Sequence, residues 1–287
     1  LTIGGKPDTE IFITGTYGNK NEEPDKKISL KFTRPLYNKT PLEIIAHRGG
    51  GRNGDLLPAS ENSVELIQLA SQLGATGIEI DVQQTSDGVP VLYHDERIND
   101  RLTHKTGIRG KLKNYSYAEL ASKVKLKNDE KIPTLENALN SIINKTDLKY
   151  VWLDVKDTDY LRKTIELQAK AIKAAAAVNR KIEITIGIHD EDLFKNFIVF
   201  PGYQNIPSLC ELDTNYVTTM NARIWAPIWT EGLQKEEVQK MQAAGRRVFV
   251  WTIDGDKQIR EFMNEGGYDG IVSNHPSLVA YYYYTKQ

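Results

Sequence analysis

An intrachain disulfide is excluded, because the sequence holds a single cysteine, Cys210. It lies in the apolar stretch 208–212, where a free thiol behaves as a small buried hydrophobe. Long hydrophobic runs are missing as well. Nothing approaches the ~20 apolar residues that a membrane-crossing helix needs. Neither charge is in excess: 37 basic residues stand against 38 acidic ones, for a net charge of −1. No block of like charge occurs, so neither a nucleic-acid surface nor a charged tail is expected. There is no internal repeat, and the only biased stretch is the alanine run 174–177. The chain opens on Leu1 and shows no signal peptide. The expectation is a processed N terminus, with export as a periplasmic protein or lipoprotein where a signal was removed, and a cytoplasmic location otherwise.

What is present suits one large barrel or two small domains: 287 residues, 40% of them apolar. Residues 1–41 alternate apolar and polar side chains around a polar turn at 19–27, which predicts two short strands in a β-rich extension. From Leu42 to Gln287, strand-like and helix-like segments alternate, the pattern of a parallel sheet with covering helices. Eight strands are expected at 43–47, 77–83, 89–94, 150–156, 182–188, 208–212, 247–252 and 270–273. The segment 224–228 is a further candidate. Helices are expected at 63–73, 117–123, 135–144, 160–178, 191–196, 235–244 and 257–265. Asn62 is a candidate cap for the first helix.

Chemistry-bearing residues gather at strand ends. Glu79 and Asp81 are two apart, so a strand puts both on one face. Inside a barrel mouth two carboxylates repel one another and are poorly solvated, and a divalent cation relieves both problems. Hard oxygen ligands suit Mg²⁺ or Ca²⁺. On an edge strand the same pair is merely solvated. His47 and His94 each follow an apolar run. Two histidines beside a carboxylate pair suit acid/base work near neutrality. His104, His189 and His275 have no such neighbours in sequence and carry no expected role.

The order His47-Arg48-Gly49, Glu61-Asn62, Glu79-Ile80-Asp81-Val82-Gln83-Gln84-Thr85-Ser86-Asp87-Gly88 and His94-Asp95 resembles the glycerophosphodiester phosphodiesterases. These are (β/α)8 TIM barrels of the phospholipase-C-like phosphodiesterase group. The resemblance runs from about residue 44 to 279. It implies that Asp154, followed by Lys156, is a third metal ligand, although the family more often has Glu there. It implies that Glu61 contacts the metal's water shell or orients a ligand, and that Trp251 walls the glycerol pocket. Asn274 stands where the family frequently has an acid. Some members carry a large domain between the third and fourth strands; with 55 residues from Asp95 to Lys149, none is expected here. The 1–41 extension lies outside the pattern.

The resulting expectation is metal-dependent hydrolysis of a glycerophosphodiester to glycerol 3-phosphate and an alcohol. Three carboxylates and one dication sum to −1, so a diester needs further cations, and Arg48 and Lys156 are the expected phosphate clamps. Which histidine is acid and which base stays open, as does attack by water or by a substrate hydroxyl. Two alternatives are a phospholipase D-like lyase that forms a cyclic phosphate, and a non-catalytic barrel that binds a phosphorylated ligand. Oligomeric state and headgroup are not legible.

Overall fold

The computed structural model describes residues 2–6, 10–37 and 39–286. The expected N-terminal extension also contains residues 1, 7–9 and 38, which lie outside the described residues. The chain divides into two units, Leu1–Asn38 with Thr285–Gln287, and Lys39–Tyr284. In the first, β1 (Thr2–Lys6), β2 (Glu10–Tyr17) and β3 (Lys26–Lys31) form an antiparallel sheet in that order. The sequence predicted two strands. The glycine-containing β1 has too little alternation to be read as a third.

The second unit is a closed barrel. Its parallel strands begin with β4 (Glu43–Ala46) and β5 (Gly77–Gln84). A short strand β6 (Pro90–Leu92) and a ribbon of β7 (Arg97–Ile98) and β8 (Gly110–Lys111) intervene. The barrel continues with β9 (Tyr150–Val155), β10 (Glu183–Ile188), β11 (Ser208–Cys210), β12 (Ile224–Trp225), β13 (Arg247–Val250) and β14 (Gly270–Ser273). Each pairs with the next, and β14 pairs with β4 to close the ring.

Eight strands were expected and eight occur, but one assignment is corrected. The segment 89–94 is not a barrel strand. Only five residues separate β5 from β6, enough for a hairpin and far too few for a parallel crossover. Asp87-Gly88 makes the turn, with Gly88 at φ 77°. β6 accordingly runs antiparallel to β5. The missing stave is supplied by β12, the candidate at 224–228, which is only two residues long.

The expected helices form with boundaries shifted by up to three residues. They are α1 (Val64–Ala70), α2 (Tyr117–Lys123), α3 (Leu135–Lys145), α4 (Thr158–Ala177) and α5 (Glu191–Phe197), followed after α6 by α7 (Lys235–Ala243) and α8 (Asp256–Glu265). Two were not foreseen: α6 (Thr214–Thr219), too short for a periodic signal, and α9 (Pro276–Tyr284), which contains the tyrosine run 281–284. Among the described residues no helix is long and apolar enough to cross a membrane.

The barrel interior is filled by Ile45, Tyr150, Trp152, Leu209, Ile224, Phe249 and Val272, with Trp251 against them. Tyr150 meets Phe249 edge to face at 5.1 Å. Trp152 fits because its neighbour is Gly187, where a Cβ would lie 2.3 Å from the indole Nε1. The segment from β6 to α3 has its own small core, including Tyr93, Leu102 and Leu120. It is no large inserted domain, but it delivers Asp95 and Arg101 to the barrel rim.

Candidate active site

A cavity of about 830 Å³ opens at the C-terminal ends of the barrel strands, lined by His47, Arg48, Glu79, His94, Asp154, Lys156 and Trp251 among others. Parallel strands present their ends there, and barrel catalysis sits at that face. Glu79 and Asp81 both belong to β5, and both are at most 3% exposed. Asp154 lies in register with Asp81 on the adjacent β9. One oxygen from each of these three carboxylates lies within 4.8 Å of the others. Three buried oxygens, Glu79 Oε1, Asp81 Oδ1 and Asp154 Oδ1, accept no hydrogen bond. Asp81 Oδ1 has an ion pair with Lys156 Nζ at 2.7 Å, and Lys156 also pairs with Asp154.

Such a site is costly without a cation. Burial, then Asp81 and Asp154, raise the Glu79 carboxyl well above its ordinary range. Burial is the largest influence on Asp81 and Asp154 and pushes both upward, but Lys156 together with His94 at Asp81 and His189 at Asp154 outweighs it, and both are lowered. The donor set, all oxygen with unused lone pairs, fits a hard divalent cation.

The two histidines are held in defined tautomers. Asn274 donates Nδ2–H to Asp254 Oδ2 at 2.7 Å, so its Oδ1 faces His47 Nδ1 at 2.8 Å and must accept. His47 therefore carries its proton on Nδ1, and Nε2 points toward Glu79 Oε2 at 3.6 Å. Burial first, then Arg48, lower the His47 pKa to about 4. His94 Nε2 lies 2.7 Å from Arg48 Nη2, a group that only donates. Its proton is thus on Nδ1, 2.7 Å from Asp95 Oδ1.

Arg48 adopts a left-handed conformation, φ 54°. Its backbone N–H donates to Glu79 and its Nη1 to Glu61. The Nε is buried without a hydrogen-bond partner. Glu61 is buried and also accepts from Arg101 and from the Asn53 backbone. Its contacts orient Arg48. Asn62 is not the helix cap; Ser63 is, accepting from the Leu66 N–H. Asn62 instead clasps Asp81, donating Nδ2–H to Oδ2 at 2.7 Å and accepting from its N–H. Trp251 donates Nε1–H to the Ala226 carbonyl and presents its ring to the cavity.

Three participants, His189, Glu211 and Asp254, carry no expected role from sequence, and a fourth, Asn274, stands out there only as a departure from the family pattern. His189 and Glu211 end β10 and β11 and line the same cavity. Their signal was position: each follows an apolar strand, as His47 does. Asp254 and Asn274 act through His47 and lie 227 residues from it in the case of Asn274, a distance no local pattern spans. Asn274→Ala should remove about 1 kcal/mol of orientation from His47 and lower kcat about fivefold. Asn274→Asp, which places a carboxylate on Nδ1, should instead shift the acidic limb of the pH–rate profile upward; unchanged kinetics in both variants would show that Asn274 does not position His47.

Residues 47–204, more than half of the chain, match the family model described as "Glycerophosphoryl diester phosphodiesterase family". A glycerophosphodiester phosphodiesterase of Caldanaerobacter subterraneus is 29% identical over 246 residues, covering 82% of this chain and 95% of that protein. Human glycerophosphodiester phosphodiesterase 1 is 38% identical over 124 residues, covering 40% of this chain and 35% of that one. The crystal structure of a glycerophosphodiester phosphodiesterase from Parabacteroides distasonis superposes with TM-score 0.67 at 25% identity, covering 86% of this chain and 98% of that one. The matched segment spans more than half of the chain and holds His47, Glu61, Glu79, Asp81, His94 and Asp154, so the chain belongs to the glycerophosphoryl diester phosphodiesterase family.

Proposed function

We propose that this protein hydrolyses glycerophosphodiesters to glycerol 3-phosphate and an alcohol, with a divalent cation held by Glu79, Asp81 and Asp154. The observation that carries the reading is the cluster of three carboxylates, each with a buried oxygen that accepts no hydrogen bond, beside two histidines at the cavity. Mg²⁺ and Ca²⁺ both suit the all-oxygen set. When bound, the cation supplies Lewis-acid polarisation of a phosphate oxygen.

The chain's own groups do the rest. His47 stays neutral at neutral pH and offers its Nε2 lone pair as the base. That leaves His94 as the acid: its Nδ1–H stays on Asp95, and in the doubly protonated form, once Arg48 Nη2 has left Nε2, the Nε2–H is the proton passed to the departing alkoxide. Arg48 and Lys156, which both line the cavity, add positive charge toward the phosphate. Trp251 walls the side of the cavity where the glycerol would rest.

The test is release of glycerol 3-phosphate from glycerophosphocholine and glycerophosphoethanolamine, with added divalent cation and with EDTA. Cation-dependent release is expected. Cyclic phosphate as the final product would favour the lyase chemistry, and ligand affinity without turnover would favour a binding barrel.

A further inference from the structure

The carboxylate of Asp154 belongs to two clusters at once. One is Glu79, Asp81 and Asp154. The other is Asp154, His189 and Glu211, again with one ligand atom from each lying within 4.8 Å of the others. The five residues come from four consecutive staves, β5, β9, β10 and β11. Ile188 pairs with Cys210, and the Glu211 N–H continues that ladder to the Ile188 carbonyl. His189 and Glu211 therefore leave neighbouring strands side by side, next to Asp154.

The second cluster has unmet bonding capacity of its own. His189 Nδ1 and Asp154 Oδ1 are both buried and lack hydrogen-bond partners. They face each other at 3.4 Å, longer than a good N–H···O bond. The Glu211 side chain reaches the same cavity. An imidazole nitrogen with two carboxylates is a ligand set for a divalent transition ion. Charge points the same way. The cavity is lined by Glu79, Asp154, Glu211, Asp213, Glu231 and Glu237 against Arg48 and Lys156, and Arg48 is already paired with Glu61. That excess of carboxylates favours a second dication beside a phosphodiester.

We infer that this chain binds a pair of divalent cations bridged by Asp154, the second held by His189 and Glu211. The inference rests on the proposed cation at Glu79, Asp81 and Asp154. A shared carboxylate implies a separation of roughly 3.5–4 Å, the spacing of two-metal phosphoesterase centres.

The experiment is titration of the metal-free full chain with Mn²⁺, read by calorimetric stoichiometry and by electron paramagnetic resonance. Two equivalents per chain and an exchange-coupled spectrum are expected. His189→Ala and Glu211→Gln should each leave one equivalent with an uncoupled signal, and the retained equivalent shows that the variant is folded. Glu79→Gln should likewise leave one. A single equivalent in the parent chain that survives both His189→Ala and Glu211→Gln but is lost in Glu79→Gln overturns the pair and leaves the proposed function standing. A single equivalent lost only on changing His189 or Glu211 also overturns the pair. No binding at all removes both readings.

Discussion

His47→Ala should lower kcat by about 10²–10⁴-fold, the usual range for loss of a general acid or base, while cation stoichiometry stays unchanged. His47 touches the carboxylate cluster only through the 3.6 Å approach of Nε2 to Glu79, so its removal leaves all the oxygen ligands in place. The burial and the Arg48 charge that lower its pKa to about 4 also keep it neutral through the working range. Protonation of His47 therefore does not limit the rate between pH 5 and 7. His94→Ala should fall in the same range for a different reason: it removes the group that Asp95 and Arg48 hold over the cavity. The two losses should not add, because both residues serve one proton-transfer sequence. Retention of more than a tenth of the parent kcat in either variant would remove that histidine from the mechanism.

Much of this site was legible because barrel geometry converts sequence position into spatial position. A polar residue ending an apolar run becomes a rim residue, the pattern that His47 and His94 share, whereas Asp154 stood out only through the family resemblance. Period 2 put Glu79 and Asp81 on one face, but only the closed barrel decides that this face is the interior and not a solvated edge. The same rule applied to His189 and Glu211 but was not followed, since each is isolated in sequence and acquires meaning only through Asp154 on the neighbouring strand. β6 was misassigned because a buried run of apolar residues does not state its direction; the length of its connection does. Asn62 illustrates another limit. Its place before a helix fitted a cap, but the adjacent Ser63 takes that role and frees the amide to hold Asp81. The replacement of an acid by Asn274 also becomes intelligible in three dimensions, where Asp254 supplies the carboxylate one hydrogen bond further from His47.

Removal of the cation should abolish activity and reverse the pH dependence of stability. In the cation-free protein Glu79 and Glu211 both titrate well above the ordinary glutamate value of 4.5, through burial first and neighbouring carboxylates second. The folded state keeps protons that the unfolded chain has released. Their contribution to stability is complete below pH 4.5 and is lost as pH rises through the raised values. His189 acts in the same direction: burial lowers its pKa, but Asp154 outweighs this and raises it above 6.5, so its contribution is also lost on the alkaline side. His47 opposes them, since its native value of about 4 adds stability as pH rises to 6.5, and above that it drops out. The melting temperature in EDTA should therefore decline as pH rises from 6.5. A bound cation displaces the glutamate protons, so its affinity grows with pH. At a hundredfold excess over Kd it stabilises by about 2.7 kcal/mol, or roughly 5–10 °C for a domain of this size. The gap between the melting curves with and without cation should widen toward alkaline pH, and activity lost on mild acidification should return when the cation concentration is raised. Glu79→Gln should flatten the decline in EDTA and shrink the gap. Melting curves that coincide with and without cation at every pH would show that these carboxylates hold no metal.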